Sequence, residues 1–161
     1  VTGKRHDSVC ACGYQAWNRI IRLKIEGTDM NAFTRLSPWA PQVLSITRIV
    51  SGLIFLAHGT AKLLGFPASD MNPPAFSMGW NAGVIELVAG VLITVGLFTR
   101  PAAFIASGTM AFAYFLAHAP QNFFPVLNGG DAAILYCFLF LYFVFSGPGP
   151  WSVDAMRGKD A

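Results

Sequence analysis

Four long apolar blocks, separated by short joints rich in Pro and Gly, constrain this chain more than any other feature. They occupy residues 42–65, 80–98, 101–119 and 131–146. One such block is compatible with the buried helix of a soluble protein, but four in close succession have no aqueous core large enough to hide them. Within hydrocarbon every backbone amide and carbonyl must be satisfied internally, so blocks of this length are helices. The period-two alternation of a membrane barrel is absent. Composition agrees, since 54% of residues are hydrophobic and 12% charged, where a soluble domain carries about 25% charged residues. Mean hydropathy is +0.51. The expected fold is therefore all-α, an integral membrane four-helix bundle, with the lipid bilayer as its first partner.

Three regions follow. Residues 1–41 form a polar, basic N-terminal tail, 42–146 the four-helix transmembrane domain, and 147–161 a C-terminal tail. The chain opens on Val1, and Met30 leads into the first block, so Met30 is the expected native start and residues 1–29 an extension. The alternative is an interfacial helix over 14–25, with Arg19, Arg22 and Lys24 against anionic headgroups. Cys10 and Cys12 have neither disulfide-framework nor zinc spacing. Cys137, inside the last block, reads as a packing residue. The net charge of +3 lacks the density of a nucleic-acid arm.

Orientation follows from the basic residues of short flanks. Arg35 precedes the first block, Arg100 lies between the second and third, and Arg157 and Lys159 follow the fourth. The loops 66–80 and 120–130 carry no Lys or Arg. An even number of spans with both termini cytoplasmic puts all these cations on one side. Trp39, Trp80 and Trp151 stand at block ends, where interfacial anchors belong. Pro101 suits the first position of the third helix. The fourth block is short, about 24 Å as a helix.

Ionisable groups inside spans are expensive and point to function. At 1.5 Å per residue, His58 lies roughly 10 Å below the outer end of the first helix and Glu86 roughly 9 Å down the second. Lys62 is one turn above His58 on the same face. These three form one outer layer, with an expected Lys62–Glu86 pair. His118 and Asp131 add to the same side, and the stretch Asn128–Asp131 offers free backbone amides to an anion or carbonyl. The competing readings are structural: a snorkelling Lys62, a core His58, and interfacial His118 and Asp131. Arg48, near the cytoplasmic end, is expected to snorkel or to pair with lipid phosphate or Asp154. Phe112, Tyr114 and Phe115 with Tyr136, Phe140 and Tyr142 are expected either to face lipid or to line a flat cleft between the third and fourth helices. No metal site and no catalytic residue is assigned.

With these residues on the page, the chain resembles the DoxX family of bacterial membrane proteins over residues 44–154. The likeness is carried by Arg48 with Gly52-Leu-Ile-Phe, His58-Gly59, Lys62-Leu63 and Glu86-Leu-Val-Ala-Gly90. It continues through Gly96-Leu97, Thr99-Arg100, Ala102-Ala103, Met110, Ala113-Tyr114 and His118. It closes with Asn128-Gly-Gly-Asp131, Gly147-Pro-Gly, Ser152 and Asp154. The resemblance implies a multi-pass protein of the bacterial inner membrane, related to subunits of thiosulfate- or quinol-linked oxidoreductases and of oxidative-stress complexes. No haem, flavin or iron–sulfur motif is evident, so redox work requires a bound quinone or a partner protein. Two other readings stand beside this one: a small-solute or proton carrier, and a non-catalytic organiser of a partner enzyme or homo-oligomer.

Overall fold

A computed structural model describes residues 34–70 and 72–158. The readings made on Cys10, Cys12, Met30, Lys159 and the helix over 14–25 lie outside the described residues. Residues 1–40 and 41–161 are separate units. In the first, the described element is a 3-10 turn at Ser37–Trp39. From that boundary onward every described element is helical. The long helices are α1 (Ala40–Leu64), α2 (Met78–Val95), α3 (Thr99–Ala113) and α4 (Asp131–Ser146). Short helical turns lie at Pro125–Asn128 and Val153–Met156.

The helix ends have local causes. Ser77 caps α2, its hydroxyl accepting the Trp80 amide at 3.2 Å. Gly96 ends α2 at φ 70°, a left-handed conformation that glycine adopts without cost. α3 begins at Thr99, two residues before the position expected from Pro101. The reason is remote in sequence: the Asp154 carboxylate takes the amides of Phe98 and Thr99, at 3.0 and 2.9 Å. It therefore serves as a cap that no neighbouring residue supplies. Beyond Ala113 the rod continues as a π-helical turn, Tyr114–His118, in which the Ala119 amide reaches the Tyr114 carbonyl at 2.8 Å. Such widened turns concentrate at functional or strained places.

α1 and α2 run antiparallel in close contact. A Cβ on Gly59 would stand 2.5 Å from the Leu87 nitrogen, and one on Gly90 would stand 2.8 Å from the Leu56 Cα. Small residues bring backbones together in this way where no hydrophobic effect separates helix from solvent. α3 and α4 are antiparallel too, as Ser107 donates to the Cys137 carbonyl and Arg100 to that of Val144. The core joins all four helices through Phe55, Ile93, Ala103, Met110, Phe140 and Phe143. Phe55 and Phe140 meet edge to face at 4.8 Å.

Outside this narrow core the large side chains point away. Phe104, Phe112, Phe138 and Phe145 are each at least 65% exposed, far more apolar surface than a water-soluble monomer shows. The stretch Ser37–Leu64 and α2 are long and apolar enough to cross a membrane. α3 and α4 are shorter, at 15 and 16 residues.

Candidate functional site

The Lys62–Glu86 pair depends on the glycines beside it. Gly59 and Gly83 bring α1 and α2 close enough for side chains one turn along to meet. Lys62 Nζ stands 2.5 Å from Glu86 Oε1, with side-chain exposures of 19% and 3%. Glu86 Oε2 is buried and has no hydrogen-bond partner among the described residues. A carboxylate oxygen so placed is costly, and it marks a point where a ligand donor would gain a bond. His58 is half-buried one turn from Lys62, and no hydrogen bond joins it to either member of the pair.

His118 and Asn128 form a second group. His118 Nδ1 lies 3.0 Å from the Asn128 carbonyl oxygen. The Asn128 carboxamide donates to the Asn122 carbonyl at 2.5 Å and accepts the Gly130 amide at 2.7 Å. The Tyr114 hydroxyl donates to the Phe123 carbonyl. Together these pin the loop between α3 and α4. The Gly130 amide, expected to be free for a ligand, is thus already satisfied. Asp131 is exposed in the first turn of α4, where a carboxylate favours the helix dipole. Among the described residues no hydrogen bond or ion pair connects this group to Lys62 and Glu86.

The densest polar network lies at the opposite end of the bundle. Arg48 is fully buried, which rules out the expected snorkelling. Its guanidinium donates to the carbonyls of Ile93, of Thr94 at 2.7 Å, of Pro148 at 2.7 Å and of Trp151 at 2.5 Å. These acceptors lie at the end of α2 and in the tail after α4, so one side chain ties three segments together. Gly96 makes room, since a Cβ there would stand 2.4 Å from that of Ser152 and 3.0 Å from the guanidinium carbon. Ser45 adds a bond from the Trp151 amide at 3.2 Å. Arg100 caps the end of α4 through the carbonyls of Val144 and Phe145, at 2.6 and 3.1 Å. The signal for this network was the pairing of a buried-span Arg with the run Gly147-Pro-Gly and Asp154, which only the fold-back of the tail connects.

Asp154 lies outside the four long helices. Burial alone would raise its carboxyl, but the Thr99 and Phe98 amides and the nearby Arg157 charge outweigh that and hold it below its ordinary value. A depressed carboxyl stabilises the fold fully above about pH 4, the ordinary carboxylate value, and that contribution is lost as pH falls through the lower folded-state value. Asp154→Asn is therefore expected to lower stability by about 2 kcal/mol at neutral pH. The gap to the parent should close under acid. Melting curves of both proteins from neutral to acid pH check this, and a gap constant with pH would contradict it.

A cleft is present on the side of the bundle. It opens between α1 and α4, with a volume of about 560 Å³ and Tyr136 on its wall. Phe140 and Tyr114 are buried, whereas Phe112, Phe115 and Tyr142 are exposed on the outer surface.

Comparison with known proteins places this arrangement. The family model described as DoxX matches residues 43–119. A Haemophilus influenzae protein, named only as uncharacterized, is 48% identical over 125 residues, which cover 74% of this chain and 93% of that one. An uncharacterized membrane protein of Mycobacterium tuberculosis is 32% identical over 86% of this chain and 96% of its own length. A Bacillus subtilis protein named "Putative oxidoreductase CatD" is 35% identical over 60 residues, covering 34% of this chain and 44% of that one. No solved structure matches. Family model, extended similarity and outward-facing apolar surface agree: the chain is a membrane protein of the DoxX family.

Proposed function

We propose that this protein is a multi-pass inner-membrane subunit that serves quinone- or quinol-linked oxidoreduction, including the response to oxidative stress. All four long helices cross the bilayer, with the Arg48 end cytoplasmic. The basic residues Arg100 and Arg157 at that end support this orientation. The observation that carries the functional reading is the buried Glu86 carboxylate, paired through one oxygen to Lys62 and unpartnered at the other. A bound quinone supplies the electron chemistry. The chain's own residues do the rest: Lys62 and His58 donate to ring carbonyls, and Glu86 takes or gives a proton at Oε2. Electrons come from a partner protein, a role consistent with the relative named as an oxidoreductase.

The full chain, purified in mild detergent and extracted with organic solvent, should carry bound quinone. Glu86→Gln and His58→Ala should each lower that content by about tenfold, the loss of roughly one hydrogen bond to a charged or buried partner. Unchanged quinone content in both variants would sink the proposal.

A further inference from the structure

We propose that the cleft between α1 and α4 holds the isoprenoid tail of the quinone whose ring sits at His58 beside the Lys62–Glu86 pair. This rests on the quinone reading above and adds where, and by what chemistry, the apolar part of the ligand is held.

The cleft is a trough of about 560 Å³ whose walls include Val50, Ser51 and Ile54 of α1 and Leu135, Tyr136 and Leu139 of α4. Both hydroxyls on its α1 wall are already used, since Thr47 donates to the Val43 carbonyl at 2.8 Å and Ser51 to the Arg48 carbonyl at 3.1 Å. The walls are thus apolar in effect. They are also firm, because the Tyr136 ring stacks on Phe140 at 5.4 Å and meets Phe55 at 5.8 Å.

The direction of the trough decides its occupant. At 100° per residue, His58 lies one turn beyond Ile54 and only about 40° round the helix, and Lys62 lies one further turn and about 40° on. The α1 wall therefore leads onto His58 and then onto the ion pair. A molecule in the trough places its head at two donors and a buried, unpartnered carboxylate oxygen. A phospholipid would bring a phosphate beside Glu86, a like-charge contact. It would also need its headgroup at the surface, whereas His58 lies roughly 10 Å inside the end of α1. A neutral ring with carbonyl acceptors and a branched apolar tail meets both conditions.

The full chain in phosphatidylglycerol nanodiscs tests this with two probes: a geranyl-substituted dimethoxymethylbenzoquinone, and the same ring without the geranyl chain. The tailed probe should bind at least about tenfold more tightly, beyond its uptake by empty nanodiscs. Ile54→Trp and Leu135→Trp alter residues that are 48% and 70% exposed, so melting temperatures should hold. Either variant should erase the advantage of the tail and leave the affinity of the bare ring unchanged. If the ring binds and the tail adds nothing, the cleft assignment falls while the quinone reading stands. If neither probe binds the parent protein, both fall. Displacement of the tailed probe by brominated phosphatidylglycerol would assign the trough to bulk lipid. A changed oligomeric state in the Trp variants would assign it to a second copy. Either result overturns the inference.

Discussion

Arg48→Met is expected to be the most damaging single substitution in this chain, lowering stability by on the order of 4 kcal/mol. The apolar stem is replaced, so little packing is lost. What goes is the guanidinium, and with it the partners of the Ile93, Thr94, Pro148 and Trp151 carbonyls. Each acceptor left unsatisfied in a dry interior costs about 1–3 kcal/mol. The loss should detach the tail first, because Pro148 and Trp151 have the longest sequence separation from Arg48. Two measurements check this. The melting temperature in detergent should fall by roughly 10 °C or more, and limited proteolysis should cut within 147–158 in the variant at a protease dose that leaves the parent intact. Arg48→Lys should rescue only part of the loss, since one ammonium cannot reach acceptors spread across a planar fork. A variant melting within a degree or two of the parent would remove Arg48 from its structural role.

Lys62→Met is the second large effect, and its diagnostic is a reversal. The single change leaves Glu86 with two buried, unpartnered oxygens and should cost about 3–5 kcal/mol. Adding Glu86→Met removes the stranded charge and should recover most of that loss, since well-packed apolar side chains often replace a buried ion pair without penalty. The cycle of single and double variants, followed by unfolding in detergent, should give a coupling of about 2–3 kcal/mol. Additive losses would show that the contact at 2.5 Å contributes nothing to stability. The double variant is also informative for function. A stable bundle without quinone would separate the pair's role in ligand binding from its role in folding.

Much of the candidate site could be read before the fold was known, and the reason is geometric. His58 and Lys62 share a helix, and 1.5 Å per residue puts Glu86 at matching depth on an antiparallel neighbour. That pair was legible because one dimension, depth, suffices to predict it. Asn128, Gly130 and His118 were placed on the same side, yet their bonds close on the loop itself. Depth alone does not say which way a side chain turns, and the Asn128 carboxamide turns inward to satisfy the Gly130 amide that sequence reasoning left open. The cleft between α1 and α4 was not legible for a related reason. Aromatic residues on α3 and α4 were visible, but which helices are neighbours across a gap is a matter of packing around the axis. Phe140 is consumed by the core, and Tyr136 alone of that set lines the trough.

By itself the sequence determined the solvent, the all-helical class and the approximate limits of the helices, because these follow from local hydropathy, proline and glycine placement, and the need to satisfy backbone bonds in lipid. α4 runs over Asp131–Ser146, the same residues as the fourth apolar block. Only the tertiary structure decided the state of the charges. Arg48 looked like a residue reaching for the membrane surface and is instead a buried tie from α1 to carbonyls of two other segments. Asp154 looked like a partner for Arg48 and is the cap that starts α3. A helix propensity or a hydropathy window extends over a few turns, whereas these bonds join residues 45 to 103 positions apart. The energy of a buried charge is set by what the rest of the chain brings to it.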